Sequence, residues 1–146
     1  MRTDLLQMDG VPDERELRSL LGDDRYEWHR VLCEAIVSRL SPELEIWALA
    51  GRRGKYFHGY RNGKSVDIYL LSIDGQGCLK CEFRLNKRMF TRILRQKDSF
   101  CEQTRKSIDG TIKIKELGGA YTLELFIDQG ALQDAFQILE ILARYQ

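Results

Sequence analysis

The stretch "KYFHGYRNGKSVDIYLL", residues 55–71, contains a histidine and an aspartate that a turn could bring together. The pair Asn62-Gly63 separates two alternating runs and favours a two-residue β-turn, because both turn positions need positive φ. This turn predicts a register in which His58 faces Asp67 on the neighbouring antiparallel strand. A carboxylate beside an imidazole can hold one ring tautomer and raise the pKa, as general base catalysis often requires.

The predicted hairpin sorts its side chains onto two faces. One face is expected to belong to the core and contains Phe57, Val66, Ile68 and Leu70. The other face combines aromatic and polar groups and is the candidate ligand-binding surface, with Tyr56, His58, Tyr60, Ser65, Asp67 and Tyr69. Such a face suits a small molecule or a protein partner, since tyrosine is enriched at interfaces. It is also typical of a solvated sheet face, because tyrosine is a good strand former.

A row of arginines provides a second set of candidate residues. Arg88, Arg92 and Arg95 fall on the side of a predicted helix that is opposite its apolar stripe. Such a row could bind an anion such as a phosphate or a nucleic-acid backbone, although it is also typical of the solvated side of an amphipathic helix. Residues 46–106 carry 14 basic and 5 acidic side chains, but the whole chain has a net charge of only +1. This balance argues against a dedicated nucleic-acid binder.

The cysteines and histidines are the remaining residues with reactive or ligating atoms. The four cysteines are unevenly spaced and are expected to be reduced, packed thiols: Cys33, Cys78, Cys81 and Cys101. The pair Cys78 and Cys81 has the spacing of a zinc or redox motif, but residues three apart on a strand point to opposite faces. The two histidines, His29 and His58, lie far apart in sequence, and no acidic cluster accompanies them. The sequence therefore predicts no metal and no cofactor.

The elements that position these residues can be predicted from caps and periodicity. Asp13 followed by Glu16 is typical of a helix start, and Asn86 is typical of another. Alternating runs predict six strands, one of which is "TIKIKEL" at residues 111–117 after a turn at Asp109-Gly110. The order is α-α-β-β-β-β-α-α-β-β-α, which indicates a single α+β domain spanning residues 1–146 with helices on one face of a mostly antiparallel sheet. Residues 1–12 are expected to be a loosely ordered N-terminal segment.

No apolar run in the sequence approaches the ~18 residues that a membrane-spanning helix needs. The N-terminal stretch "MRTDLLQMDGVPDERE" has no apolar core of signal-peptide length and is acidic. The chain is therefore expected to be cytoplasmic and not to associate with membranes.

Four segments together resemble a bacterial family of uncharacterised proteins, the domain-of-unknown-function family numbered 3788. They are "PDERELRSLLGD", "YRNGKSVDIYLL", "LKCEFRL" before a basic helix, and "GGAYTLELFI" before the last helix. The resemblance extends over residues 13–145 and implies a fold of this α+β type. It implies no catalytic residues.

The leading hypothesis is a non-enzymatic module that binds a ligand or a protein through the aromatic and polar sheet face. Its partner is expected to be a small molecule, another protein or a second copy of the chain. One alternative is a small hydrolase or isomerase that uses His58 and Asp67. Another is a weak nucleic-acid binder that uses Arg88, Arg92 and Arg95.

Overall fold

A computed structural model describes residues 11–50, 55–62, 68–73 and 77–145. These residues form five helices, one 3₁₀ turn and five strands, in the order α1 (Glu14–Leu21), α2 (Asp23–Leu40), β1 (Leu44–Ala50), β2 (Lys55–Arg61), β3 (Ile68–Ile73), β4 (Leu79–Leu85), α3 (Lys87–Leu94), the 3₁₀ turn (Lys97–Ser99), α4 (Glu102–Glu116), β5 (Tyr121–Phe126) and α5 (Gln129–Tyr145). None of the described helices combines the length and the hydropathy that crossing a membrane requires.

The strands form one antiparallel sheet in chain order, β1-β2-β3-β4-β5. A row of directly paired residues crosses all five strands on the side that the helices cover: Trp47, His58, Leu71, Cys81 and Leu125. Every member of this row is buried. Among the covering helices, α2 packs against α5, and α4 packs against β5. The predicted α+β class with an antiparallel sheet is therefore confirmed.

The described sheet has five strands, and the predicted sixth strand is wrong. The segment "TIKIKEL" belongs almost entirely to α4, which continues through Asp109-Gly110 instead of turning there. The physical reason is a helical spacing of side chains that starts earlier in the chain, since Thr104, Ile108 and Thr111 are the buried residues of this helix. Gly110 is tolerated inside the helix, at a modest cost in intrinsic helix propensity.

The predicted hairpin register is also wrong. His58 pairs with Leu71 and Tyr56 pairs with Ile73, a shift of four residues from the predicted pairing of His58 with Asp67. Residues 63–67, which include Gly63, Val66 and Asp67, lie outside the described residues. The preference of Asn62-Gly63 for a tight turn is a local effect. The four-residue shift leaves the same side chains on each face, but it pairs Leu71 and Ile73 with His58 and Tyr56 inside the sheet.

The two faces of the hairpin are exchanged relative to the prediction. Tyr56, His58, Tyr60 and Tyr69 are buried on the helix-covered side, and Phe57 is half-buried on the other side. Strand β3 has apolar residues at both odd and even positions, so alternation alone could not identify which of its faces packs against the helices. The side chains of Ile68 and Leu70, predicted to be core, lie outside the described part of the structure.

A buried carboxylate connects α5 to the start of α4. Asp134 is 6% exposed, and its Oδ2 accepts hydrogen bonds from the Cys101 backbone N–H at 3.0 Å and the Thr104 hydroxyl at 2.6 Å. We expect Asp134→Ala to lower the free energy of unfolding by about 1–3 kcal/mol, because two buried donors lose their acceptor. Urea denaturation measures this loss. The control is Asp109→Ala, which removes an exposed partner of Lys97 from α4; equal losses for the two variants would contradict the prediction.

Candidate metal centre

Three side chains with metal-ligating atoms meet between α2 and β2. His29 and Cys33 are four residues apart on α2 and therefore lie on the same side of the helix. His58 comes from β2, from the row of buried residues that crosses the sheet. The two histidines are 5% and 2% exposed, and Cys33 is half-buried. Their ligating atoms, Nε2 of His29, Sγ of Cys33 and Nδ1 of His58, form what we call the ligand triangle.

The sides of the ligand triangle have lengths typical of a zinc site. His29 Nε2 lies 3.1 Å from His58 Nδ1, and Cys33 Sγ lies 3.6 Å from the former and 3.5 Å from the latter. In a tetrahedral site with Zn–N of about 2.0–2.1 Å and Zn–S of about 2.3 Å, the nitrogens are separated by about 3.3–3.4 Å, and nitrogen and sulfur by about 3.5–3.6 Å. The triangle therefore has close to the dimensions of one face of a zinc coordination tetrahedron.

A carboxylate binds the second nitrogen of His58. Glu45 Oε2 on β1 lies 2.6 Å from His58 Nε2, and this hydrogen bond holds the pKa of Glu45 below its usual range. Burial lowers the pKa of His58, although the bond to Glu45 acts in the opposite direction. The neutral ring donates its Nε2–H to the carboxylate and keeps a lone pair on Nδ1. A histidine that binds a metal through Nδ1 needs this tautomer, and metal-ligating histidines commonly carry a carboxylate on the outer nitrogen.

Burial keeps the other two members of the ligand triangle uncharged. It lowers the pKa of His29 to about 3, and the neighbouring His58 acts in the same direction. Burial likewise raises the pKa of the Cys33 thiol to about 12. With His58 accepting at Nδ1, His29 donates its Nε2–H across the 3.1 Å contact. Metal binding would require Cys33 to lose its proton and His29 to carry its proton on Nδ1 instead.

Two aromatic residues fix the orientation of the His58 ring. The Trp47 ring stacks on it with centroids 3.8 Å apart and an interplanar angle of 11°. Tyr60 packs on it at 4.8 Å, and its hydroxyl donates to Glu45 Oε2 at 3.2 Å. A ring held by stacking and by a hydrogen bond has little freedom to rotate. His58 Nδ1 is therefore preorganised toward the other two ligating atoms.

The ligand triangle borders a cleft that opens to solvent beside α2. The cleft has a volume of about 260 Å³, and its walls include the three residues of the triangle together with Tyr26 and Glu34. A neighbouring cleft of about 460 Å³ shares Cys33, Glu34 and Tyr60 with it. A small ion or molecule could therefore approach the triangle from this side.

The structure redistributes the residues of the predicted ligand-binding face. His58 and Tyr60 lie at the ligand triangle, whereas Tyr69 is part of the core and packs edge-on against Phe83. The Tyr56 hydroxyl donates to Glu16 on α1. Asp67 lies outside the described residues, and its predicted place opposite His58 is taken by Leu71. The predicted carboxylate–imidazole pair is thus made by Glu45.

The sequence patterns did not identify His29 and Cys33 as partners of His58. No metal was predicted because the two histidines lie far apart in sequence and no acidic cluster accompanies them, and the first of these reasons fails, since their rings are in contact. The available signal was the spacing of His29 and Cys33, because ligands at i and i+4 share one side of a helix. The third ligand depends on how α2 lies on the sheet, which no local pattern indicates.

The other candidate residues do not join this cluster. Arg88 on α3 and Arg95 just after it are exposed. The Arg92 guanidinium lies 4.0 Å from the centre of the Tyr145 ring on α5. Cys81 is fully buried in the sheet, and Cys78 is half-buried just before β4. No protein-family model, curated protein or solved structure matches this chain.

Proposed function

We propose that this chain is a ligand-binding domain whose ligand is a single zinc ion, held by His29, Cys33 and His58. The observation that carries the proposal is the ligand triangle, whose sides of 3.1, 3.5 and 3.6 Å match those of a zinc site. Zinc readily binds two imidazoles and one thiolate, whereas hard cations such as Mg²⁺ prefer oxygen ligands.

The surroundings of the ligand triangle support a site for a positive ion. Two buried histidines that contact each other are usually only a hydrogen-bonded pair without a metal. Such a pair requires neither a neighbouring thiol nor a carboxylate on the outer nitrogen. Here Glu45 supplies a negative charge on the far side of the His58 ring, as in many metal sites. Tyr60, on the same side of the sheet, donates to this carboxylate and so holds it in place.

The proposal retains the binding role that the sequence predicts and changes its ligand and its place. The proposed binding site lies between α2 and the sheet, whereas the predicted site lay on a solvated sheet face. A cytoplasmic location, which would keep Cys33 reduced, remains a prediction. The resemblance to family 3788 and a homodimer also remain predictions, and weak nucleic-acid binding through the arginines remains an alternative.

Metal analysis of the purified protein tests the proposal. The protein is incubated with zinc under reducing conditions, and the excess is removed. We then expect about one zinc per chain by inductively coupled plasma mass spectrometry. Cys33→Ser and His58→Ala should each retain far less, because a tetrahedral site that keeps only two protein ligands binds weakly. Cys33→Ser changes the shape of the side chain little, so circular dichroism should show an intact fold.

The matched control is Cys78→Ser, a half-buried cysteine that lies outside the ligand triangle. It should retain zinc as the unchanged protein does. Zinc loss in Cys78→Ser but not in Cys33→Ser would place the metal elsewhere and contradict the proposal. Zinc-free protein after the incubation would contradict it as well.

A further inference from the structure

The ligand triangle supplies three of the four ligands that zinc normally takes. Within the described residues, no fourth histidine, cysteine or acidic side chain joins the group. Glu45 contacts His58, but its Oε2 is bound to the far nitrogen of that ring. The three ligating residues line the cleft beside α2. The fourth ligand would therefore come from the cleft, as in zinc sites that leave one position open to exchange.

The clefts beside α2 are large enough for an organic molecule. The cleft at the triangle, about 260 Å³, and its neighbour, about 460 Å³, share Cys33, Glu34 and Tyr60, and we call the two together the groove. The larger of the two falls in the range of small-molecule sites, about 300–1,000 Å³. The walls are partly aromatic and apolar, with Tyr26, Tyr60 and Val37. Such walls favour a flat, apolar group.

The charges around the triangle limit the kind of donor. A zinc ion carries two positive charges, which the Cys33 thiolate and the Glu45 carboxylate balance. At the mouth of the cleft, Arg30 is already paired with Glu27 and Glu34. An anionic ligand would therefore add an unbalanced negative charge to a half-buried site, which is unfavourable. A neutral donor adds none, and a nitrogen suits the borderline-soft zinc ion.

We propose that the fourth metal position, facing this groove, binds a small molecule through one neutral aromatic nitrogen of the imidazole type. The inference rests on the proposed zinc site. Binding exchanges one water on the metal for one nitrogen, so a metal–oxygen bond breaks, a metal–nitrogen bond forms and the total charge stays constant.

Cobalt substitution tests the proposal with a visible signal. Co²⁺ binds the same donors as zinc, and its thiolate charge-transfer band in the near ultraviolet reports coordination by Cys33. Its visible bands report the fourth ligand. Titration of the cobalt protein with imidazole should change the visible bands to saturation while the thiolate band persists. Titration with azide, a small anion, should require a concentration at least about tenfold higher.

Two variants sharpen this comparison. Glu34→Gln removes a negative charge from the mouth of the cleft and should narrow the preference for imidazole over azide. Glu116→Gln, an exposed residue of α4, should leave the preference unchanged. Azide binding as tightly as imidazole in the unchanged protein would overturn the proposal. Unchanged visible bands with imidazole, beside an intact thiolate band, would overturn it while leaving the metal site standing. Absence of the thiolate band would overturn the metal site and this inference together.

Discussion

Tyr69→Ala is expected to lower the free energy of unfolding by about 3–5 kcal/mol, as large-to-small substitutions in a packed core do. Tyr69 has no exposed surface, and its ring packs edge-on against Phe83 with centroids 5.6 Å apart. Removal of the ring leaves a cavity between the sheet and the helices that the surrounding side chains cannot fill. Equilibrium denaturation in urea, with the slope checked for constancy, measures the loss.

The matched control is Phe57→Ala on the neighbouring strand. Phe57 points to the opposite side of the sheet and is half-buried, so its removal should cost about 1 kcal/mol. The two substitutions remove rings of similar size from opposite faces. A larger loss for Phe57→Ala than for Tyr69→Ala would mean that the helices cover the other side of the sheet, and the position of the ligand triangle would be contradicted with it.

Local signals in the sequence were sufficient for most of the elements. Asp13 accepts a hydrogen bond from the Glu16 N–H at 2.8 Å at the start of α1, and Asn86 accepts one from the Met89 N–H at 2.8 Å at the start of α3. Both caps are confirmed because a capping side chain acts within one turn of the backbone. The strand Leu44–Ala50 and the alternating burial of β4 likewise agree with local patterns of side chains.

The register of β2 on β3 could not be predicted from such signals. The pair Asn62-Gly63 favours a short turn, but the predicted register would place Leu71 and Ile73 beyond the start of β2, whereas the observed register pairs them with His58 and Tyr56. The run from Ile68 to Ile73 is nearly uniformly apolar, so it contains no internal evidence of which residues face inward. The choice depends on α2 and α5, whose positions are a property of the whole fold.

The candidate metal centre was predictable only in part for the same reason. His58 was identified from the sequence, together with the need for a carboxylate partner. The partner is Glu45 on β1, the strand on the other side of β2 from β3. Glu45 pairs with Tyr60, two residues from His58, and its carboxylate reaches the His58 ring diagonally. His29 and Cys33 reach His58 only through the packing of α2 on the sheet, which joins residues 25 or more apart in sequence.

Zinc is expected to raise the melting temperature of this protein by about 6–10 °C when the free zinc concentration is about 100 times the dissociation constant. A ligand that binds only the folded chain adds about 2.7 kcal/mol of stability at that concentration. His29 and Cys33 on α2 and His58 on β2 are brought together only in the folded state. Thermal unfolding followed by circular dichroism, with zinc buffered and a reductant present, measures the shift.

Two variants at the ligand triangle distinguish zinc binding from a general effect of the ion. Cys33→Ser should abolish the shift. Glu45→Gln keeps the three ligands and removes the charge behind His58, so zinc affinity should fall by about 10–100-fold and the shift should shrink without disappearing. The control is Glu43→Gln, the same substitution at an exposed residue two positions earlier. It should show the full zinc-induced rise in melting temperature. A full shift in Cys33→Ser, or equal shifts in Glu45→Gln and Glu43→Gln, would contradict zinc binding at this site.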